Sequence, residues 1–125
     1  MQPVAAELDP DEMSSLAAHF AALPLATREE RGDPTSIARG ERIATGGVPS
    51  RRVAACAACH GPRSDAKYPT LAGQHPSWIA LQLRLFRAGT RGGTPFARVM
   101  TIAAHDLDER EARDVSAYYA SLSER

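Results

Sequence analysis

The pentapeptide Cys56-Ala57-Ala58-Cys59-His60 contains both cysteines of a 125-residue chain. C-x-x-C-H is the pattern by which a c-type haem is attached. Two thiols three positions apart can reach the two vinyl groups on one porphyrin edge and form thioethers, and the adjacent histidine then offers an axial nitrogen to the iron. The other uses of a close cysteine pair fit less well. A structural zinc site needs four ligands, and there is no second cysteine pair. A thioredoxin-like redox pair belongs between a strand and a helix in a βαβ pattern, which this sequence lacks. Covalent haem c, one per chain, is the cofactor the motif calls for.

The length suits one domain plus an appendage. Formal net charge is zero, so nothing points to nucleic acid or an anionic membrane. The charge is nevertheless partitioned. Residues 1–33 sum to −5, residues 34–105 to +8 and residues 106–125 to −3. The basic block surrounds the motif, where haem propionates would offset part of it and the remainder would suit a redox partner with an acidic docking surface. No stretch approaches the roughly 18 apolar residues of a membrane helix. Met1-Gln2-Pro3 shows no basic start with an apolar run behind it. Haem c is ordinarily attached outside the bacterial inner membrane, so the expectation is a periplasmic protein whose leader has been removed, or a piece of a longer chain.

An internal repeat favours the longer chain. At a constant offset of 99 residues, Leu8-Asp9…Leu23 aligns with Leu107-Asp108…Leu122, with Leu, Asp, Glu, two Ala and Leu coinciding. Leu16 then stands against Val115 and Phe20 against Tyr119. Each segment opens with Asp followed three residues later by Glu, a capping-box pattern, and Pro10 suits a first helical position. Residues 1–25 therefore read as a helix like the closing helix of an upstream domain, residues 26–34 as a charged linker, and residues 35–125 as the haem domain.

Within that domain, Ser36–Thr45 reads as a helix stopped by Gly46-Gly47, with Ile37, Gly40, Ile43 and Ala44 inward. Gly40 costs a helix about 1 kcal/mol against Ala, which makes sense if another helix crosses closely there. Residues 51–59 read as a one-and-a-half-turn helix leading into His60, and residues 68–74 as an extended loop. A helix follows from Pro76 to about Ala88. It is apolar nearly all round (Trp78, Ile79, Leu81, Leu83, Leu85, Phe86), so it should be covered on more than one side. Residues 90–94 read as a flexible Gly-rich loop, and Met100 as lying in a loop beyond that hinge. A last helix runs from Asp108 to about Ser123, with Ala112, Val115, Tyr119 and Leu122 on one face. No segment alternates with the period of a strand, so the class is all-α.

A six-coordinate iron needs a second ligand besides His60. Met100, His75 and His105 are the candidates within the domain. Met100 is its only methionine and follows the Gly-rich hinge. A neutral sulfur ligand favours Fe(II) and raises the potential. His75 and His105 read as surface residues at element ends. His60 also needs an acceptor for its other ring N–H, which the carbonyls of Pro69-Thr70-Leu71 can supply.

Together these residues resemble the class I c-type cytochromes over residues 35–123. The resemblance is carried by Gly40 and Ile43, Cys56-Ala57-Ala58-Cys59-His60-Gly61, Pro69-Thr70-Leu71-Ala72-Gly73-Gln74, Gln82…Gly89, Met100 and Ala117-Tyr118-Tyr119-Ala120-Ser121-Leu122. The Leu-Ala-Gly-Gln and Ala-Tyr-Tyr-Ala-Ser elements look most like the periplasmic subgroup with two tandem haem domains. The resemblance implies short helices wrapped around one haem, thioethers on Cys56 and Cys59, and iron between His60 and Met100. It further implies that the Pro69 carbonyl holds His60, Leu71 packs on haem, Gly40 and Ile43 cross the last helix near Val115 and Tyr118, and Arg91 meets a propionate. The upstream C-x-x-C-H of a tandem protein is absent here. The function implied is single-electron transfer without enzymatic turnover, with an upstream haem domain or a second copy as possible company. Two other readings stand beside it. One is an electron-entry module that docks on a larger oxidoreductase through residues 1–34 and the Trp78 helix. The other is a five-coordinate haem sensor or enzyme in which Met100 is displaced.

Overall fold

Proline and a short polar cap open most of the helices in the computed structural model, which describes residues 2–24, 32–62 and 67–122. α1 (Gln2–Ala5) is a single turn that the sequence reading did not anticipate. α2 (Pro10–Ala22), α3 (Pro34–Gly46), α5 (Pro76–Arg87) and α6 (Pro95–Ala104) each begin on proline, whose missing N–H has no helical partner to lose. α4 (Ala57–His60) is one turn, and α7 (Glu109–Ser121) closes the order. Both expected capping boxes form. The Asp9 carboxylate accepts from the backbone N–H of Asp11 and Glu12 while Glu12 accepts from the Asp9 N–H, and Asp108 with Glu111 does the same at α7. Asp33 caps α3 by accepting from Thr35 and Ser36, so that helix starts at Pro34, inside the expected linker. Residues 26–31 of that linker, and residue 25 before it, lie outside the described residues.

The core is built on the crossing of α3 and α7. Gly40 is buried at the crossing. A Cβ there would land on the Asp114 carbonyl oxygen, with Tyr118 Cβ 2.9 Å away. Glycine is required because the two backbones touch, as its poor helix propensity suggested. Beside the contact, Asp114 is only 3% exposed. Its carboxylate accepts from Arg39 Nε at 2.6 Å, from Arg39 Nη2 at 2.9 Å and from the Ser36 hydroxyl. The Arg39 guanidinium, aided by Ser36, holds the Asp114 carboxyl below its ordinary range against the opposing pull of burial. Ala112, Val115 and Tyr119 fill the core from α7, and Ile79, Leu83 and Phe86 from α5. α5 lies against both α6 and α7.

Two sequence expectations are corrected. The helix proposed over residues 51–59 is absent. Pro49–Arg51 is a 3₁₀ turn, Arg52 is left-handed (φ 59°), and Val48 and Val53 exchange backbone hydrogen bonds of 2.9 and 3.2 Å across it. With those amides committed to the turn, α4 cannot begin until Ala57. Gly47 (φ 68°) lets the chain enter the turn, and a Cβ there would strike the Val53 carbonyl. Second, residues 95–104 form α6 where a loop was expected. Thr94 caps it by accepting from the Ala97 N–H at 3.1 Å, and Pro95 takes the first position. α5 packs on α6 and α7 through Ile79, Leu83 and Phe86, and Trp78 and Leu81 remain exposed. α1 and α2 bury none of their described residues, and Met13, Leu16, Phe20 and Leu23 all face solvent.

Gly40→Ala should lower stability by about 1–3 kcal/mol through overpacking, despite the better helix propensity of Ala. A thermal melt that is unchanged or raised would contradict the backbone contact. Because the Asp114 carboxyl is depressed on folding, its contribution is fully present above the unfolded value of about 3.9 and is lost as pH falls through the folded value. Asp114→Asn should therefore cost about 1.5–3 kcal/mol near neutrality. The difference between the two proteins in denaturant titrations should shrink below about pH 4.

Candidate haem site

α4 delivers the motif. The Cys56 carbonyl accepts from the N–H of Cys59 (3.2 Å) and His60 (2.8 Å), closing one helical turn that draws the three side chains together. Cys56 and Cys59 are not joined in a disulfide. Burial pushes the Cys56 thiol up to about 11, so an ionised sulfur is disfavoured there, while a thioether carries no charge to bury. Gly61 ends the turn, where a Cβ would collide with the Ala57 carbonyl.

The His60 ring is oriented by the loop that follows. Its Nδ1 lies 2.9 Å from the Pro69 carbonyl oxygen, so the N–H on Nδ1 donates and the lone pair falls on Nε2. Nε2 is buried and has no hydrogen-bond partner. A neutral imidazole held in one tautomer with its Nε2 lone pair buried and unpartnered is the arrangement of a metal ligand, and the residues present fit haem c. Tyr68 meets the His60 ring edge-on with centroids 6.1 Å apart, and Phe96 meets Tyr68 edge-on at 6.0 Å. Phe96 is one turn before Met100 on α6, so this aromatic chain couples the His60 segment to the Met100 segment.

Met100, Leu71 and Cys56 are partly buried against the same core. Met100 thus joins the motif cysteine, but from a helix and not from the loop expected of it. The Leu71 turn is tied to α7 by the Gly73 N–H, which donates to the Tyr119 carbonyl at 3.0 Å. Arg91 is exposed on the segment that follows α5. Its guanidinium donates to Gln82 Oε1 and lies 4.6 Å above the Phe86 ring. His75 stands at the N-cap position of α5, with its Nδ1 2.8 Å from the Ser77 hydroxyl and no side-chain bond to the helix backbone. His105 ends α6, exposed beside Asp106.

Sequence reasoning missed Tyr68, Phe96 and Arg51. Aromatic residues flanking the motif and the methionine were the available signal for the first two. Arg51 donates to the Asp106 carbonyl at 3.1 Å and pairs with Glu111, pinning the 3₁₀ turn to the start of α7. No sequence pattern announced that pairing.

Fold and site define an all-helical domain that carries a covalently attached haem on one turn of helix. The cytochrome c family profile matches residues 37–123. The chain is 33% identical over 129 residues to a thiosulfate dehydrogenase electron acceptor of Stutzerimonas stutzeri, covering all of this chain and 59% of that protein. It is 35% identical to a cytochrome c4 of Thiocapsa roseopersicina, covering 99% and 66%, and 31% identical to a cytochrome c4 of Pseudomonas aeruginosa, covering 92% and 58%. The chain therefore spans less than two thirds of these relatives' own lengths. Among solved structures, cytochrome c4 of Acidithiobacillus ferrooxidans superposes with a TM-score of 0.79 at 31% identity, covering 98% of this chain and 70% of that one. A thiosulfate dehydrogenase from Marichromatium purpuratum superposes at 0.78 and 35% identity, covering 98% and 27%. The chain belongs to the cytochrome c family. Its haem domain is an electron carrier with haem c on Cys56 and Cys59.

Covalent attachment has a direct check. Haem should stay with the polypeptide through acid–solvent extraction of the wild-type protein and leave it in the Cys56→Ser/Cys59→Ser double variant. Extraction of haem from the wild type would exclude thioethers.

Proposed function

We propose that this chain passes single electrons between proteins, with iron held by His60 Nε2 and Met100 Sδ. The observation that carries the reading is the dry, unpartnered Nε2 of a ring whose Nδ1 is fixed on the Pro69 carbonyl. Haem c supplies a one-electron iron couple when bound. The chain's part is to keep the ligand set constant. The Pro69 carbonyl fixes the imidazole tautomer, and Tyr68 limits ring rotation. The buried Leu83, Phe86 and Val115 keep water away. Met100 is anchored by α6, whose first turn is fastened through Phe96. Leu71 lies against the same core and would pack on the cofactor. Arg91 is the propionate partner suggested by the resemblance; its present contacts are Gln82 and Phe86.

The N-terminal segment reads as the closing helix of an upstream haem domain, followed by a linker and then this domain. α2 and α7 are both 13 residues long with the same capping box. The α2 residues Met13, Leu16, Phe20 and Leu23 occupy the register of Ala112, Val115, Tyr119 and Leu122 in α7. The α7 residues face a core, whereas those of α2 face solvent. The chain covers 58% and 66% of the two cytochrome c4 relatives, which supports a place for this domain within a longer protein. Attachment of haem c places such a protein in the periplasm, and no helix among the described residues is long and apolar enough to cross a membrane.

A redox protein is the natural partner. Arg39, Arg51, Arg84 and Arg87 are engaged by Asp114, Glu111 and Glu109, which leaves Arg42, Arg52 and Arg98 exposed for an acidic docking surface. Such contacts set encounter rate more than affinity. The likeness to a thiosulfate dehydrogenase and to a thiosulfate dehydrogenase electron acceptor favours a second reading, in which the domain receives electrons directly from a catalytic partner.

Met100→Ala should open a coordination site, so the reduced variant binds carbon monoxide without denaturant while the wild type does not. Met100→His should keep six ligands and lower the midpoint potential. Carbon monoxide binding by the reduced wild type would establish a five-coordinate iron and remove Met100 from the ligand set.

A further inference from the structure

Among the described residues, only two buried side-chain polar atoms lack a hydrogen-bond partner: His60 Nε2 and the Tyr119 hydroxyl oxygen. A buried O–H without an acceptor is unfavourable and rare, and it calls for a specific reason. The proposed function already explains the first atom. Tyr119 is 2% exposed, and the side chain belongs to the core that also contains Cys56, Leu71 and Met100. Its backbone carbonyl is fixed by the Gly73 N–H of the Leu71 turn. Ser116, which also carries a buried hydroxyl on α7, donates to the Ala112 carbonyl at 2.6 Å and makes no bond with Tyr119. Burial, followed by the neighbouring Cys56, raises the Tyr119 hydroxyl well above the ordinary phenol range, so it remains a neutral donor at any physiological pH.

We infer that Tyr119 faces the haem, and that its O–H acts as a polar donor toward the cofactor edge anchored by Cys56, favouring the reduced form. The two partnerless atoms then have one explanation: both are directed at the group that completes the site. An added electron makes the porphyrin and its substituents richer in negative charge. An O–H dipole with its hydrogen toward that edge stabilises the added charge more in a dry interior than it would in water. This inference rests on the haem-bound reading above.

The test compares wild-type and Tyr119→Phe holoproteins. Both should be coloured, with the same low-spin reduced and oxidised spectra. In redox titration, the equilibrium constant for reducing Tyr119→Phe should fall by about 3- to 10-fold, a tenfold change corresponding to about 59 mV for one electron. An equal potential, with or without a change in melting temperature, would overturn the inference, because a hydroxyl with a purely structural role alters folding and not the couple. Should Tyr119→Phe fail to retain haem, proton NMR of the wild type decides. The Tyr119 hydroxyl proton should be protected from exchange and shift between oxidation states through the nearby iron. A hydroxyl resonance indifferent to oxidation state would overturn the inference. A colourless wild-type protein would instead defeat the haem reading itself, so the two failures are distinguishable.

Discussion

The contact of two helix backbones at Gly40 is the constraint on which the rest depends. It brings α3 so close to α7 that no side chain fits between them. That distance sets the position of Asp114, and the Arg39 fork and the Ser36 hydroxyl then satisfy a carboxylate that could not otherwise be buried. Removing the glycine would disturb three things at once: the crossing, the ion pair and the face of α7 that presents Val115 and Tyr119 to the interior. α7 in turn locates the Leu71 turn through the Tyr119 carbonyl, and the 3₁₀ turn through Glu111 and Arg51. The haem-bearing turn α4 is therefore set from both sides by a helix distant from it in sequence.

The site shows how little regular structure such chemistry requires. One helical turn presents two sulfurs and an imidazole. A proline carbonyl, with no N–H of its own to compete, selects the tautomer. The loop between α4 and α5 needs no helix because its task is local. It carries the Pro69 carbonyl to His60, places Tyr68 against the ring and delivers Leu71 to the core. α6 brings the sulfur of Met100 from the far side of the sequence on an element stiff enough to keep its register.

The sequence made much of this legible, and for identifiable reasons. The motif exposes its chemistry because thiol spacing is dictated by the porphyrin, not by the fold. Gly40 was readable as a close crossing because a glycine inside an amphipathic helix contradicts its own propensity. The Asp108 and Asp9 caps were readable because a capping box is local. Hidden features depended on pairings across long stretches or on competing local signals. Residues 51–59 looked helical from composition, but the valines at 48 and 53 bond each other and Arg52 turns left-handed. α6 was obscured by the glycines before it, although Thr94-Pro95 carried an ordinary start signal. The Arg51–Glu111 and Arg39–Asp114 pairs span 60 and 75 positions, beyond the reach of any window.

The uncovered stripe on α2 has a consequence for handling the molecule. Met13, Leu16, Phe20 and Leu23 make that helix adhesive in water. An apolar strip open to water is a surface on which chains can associate at high concentration, without any relation to electron flow. Hydrodynamic size is therefore sensitive to the N-terminal helix, while colour and voltage report the domain behind it.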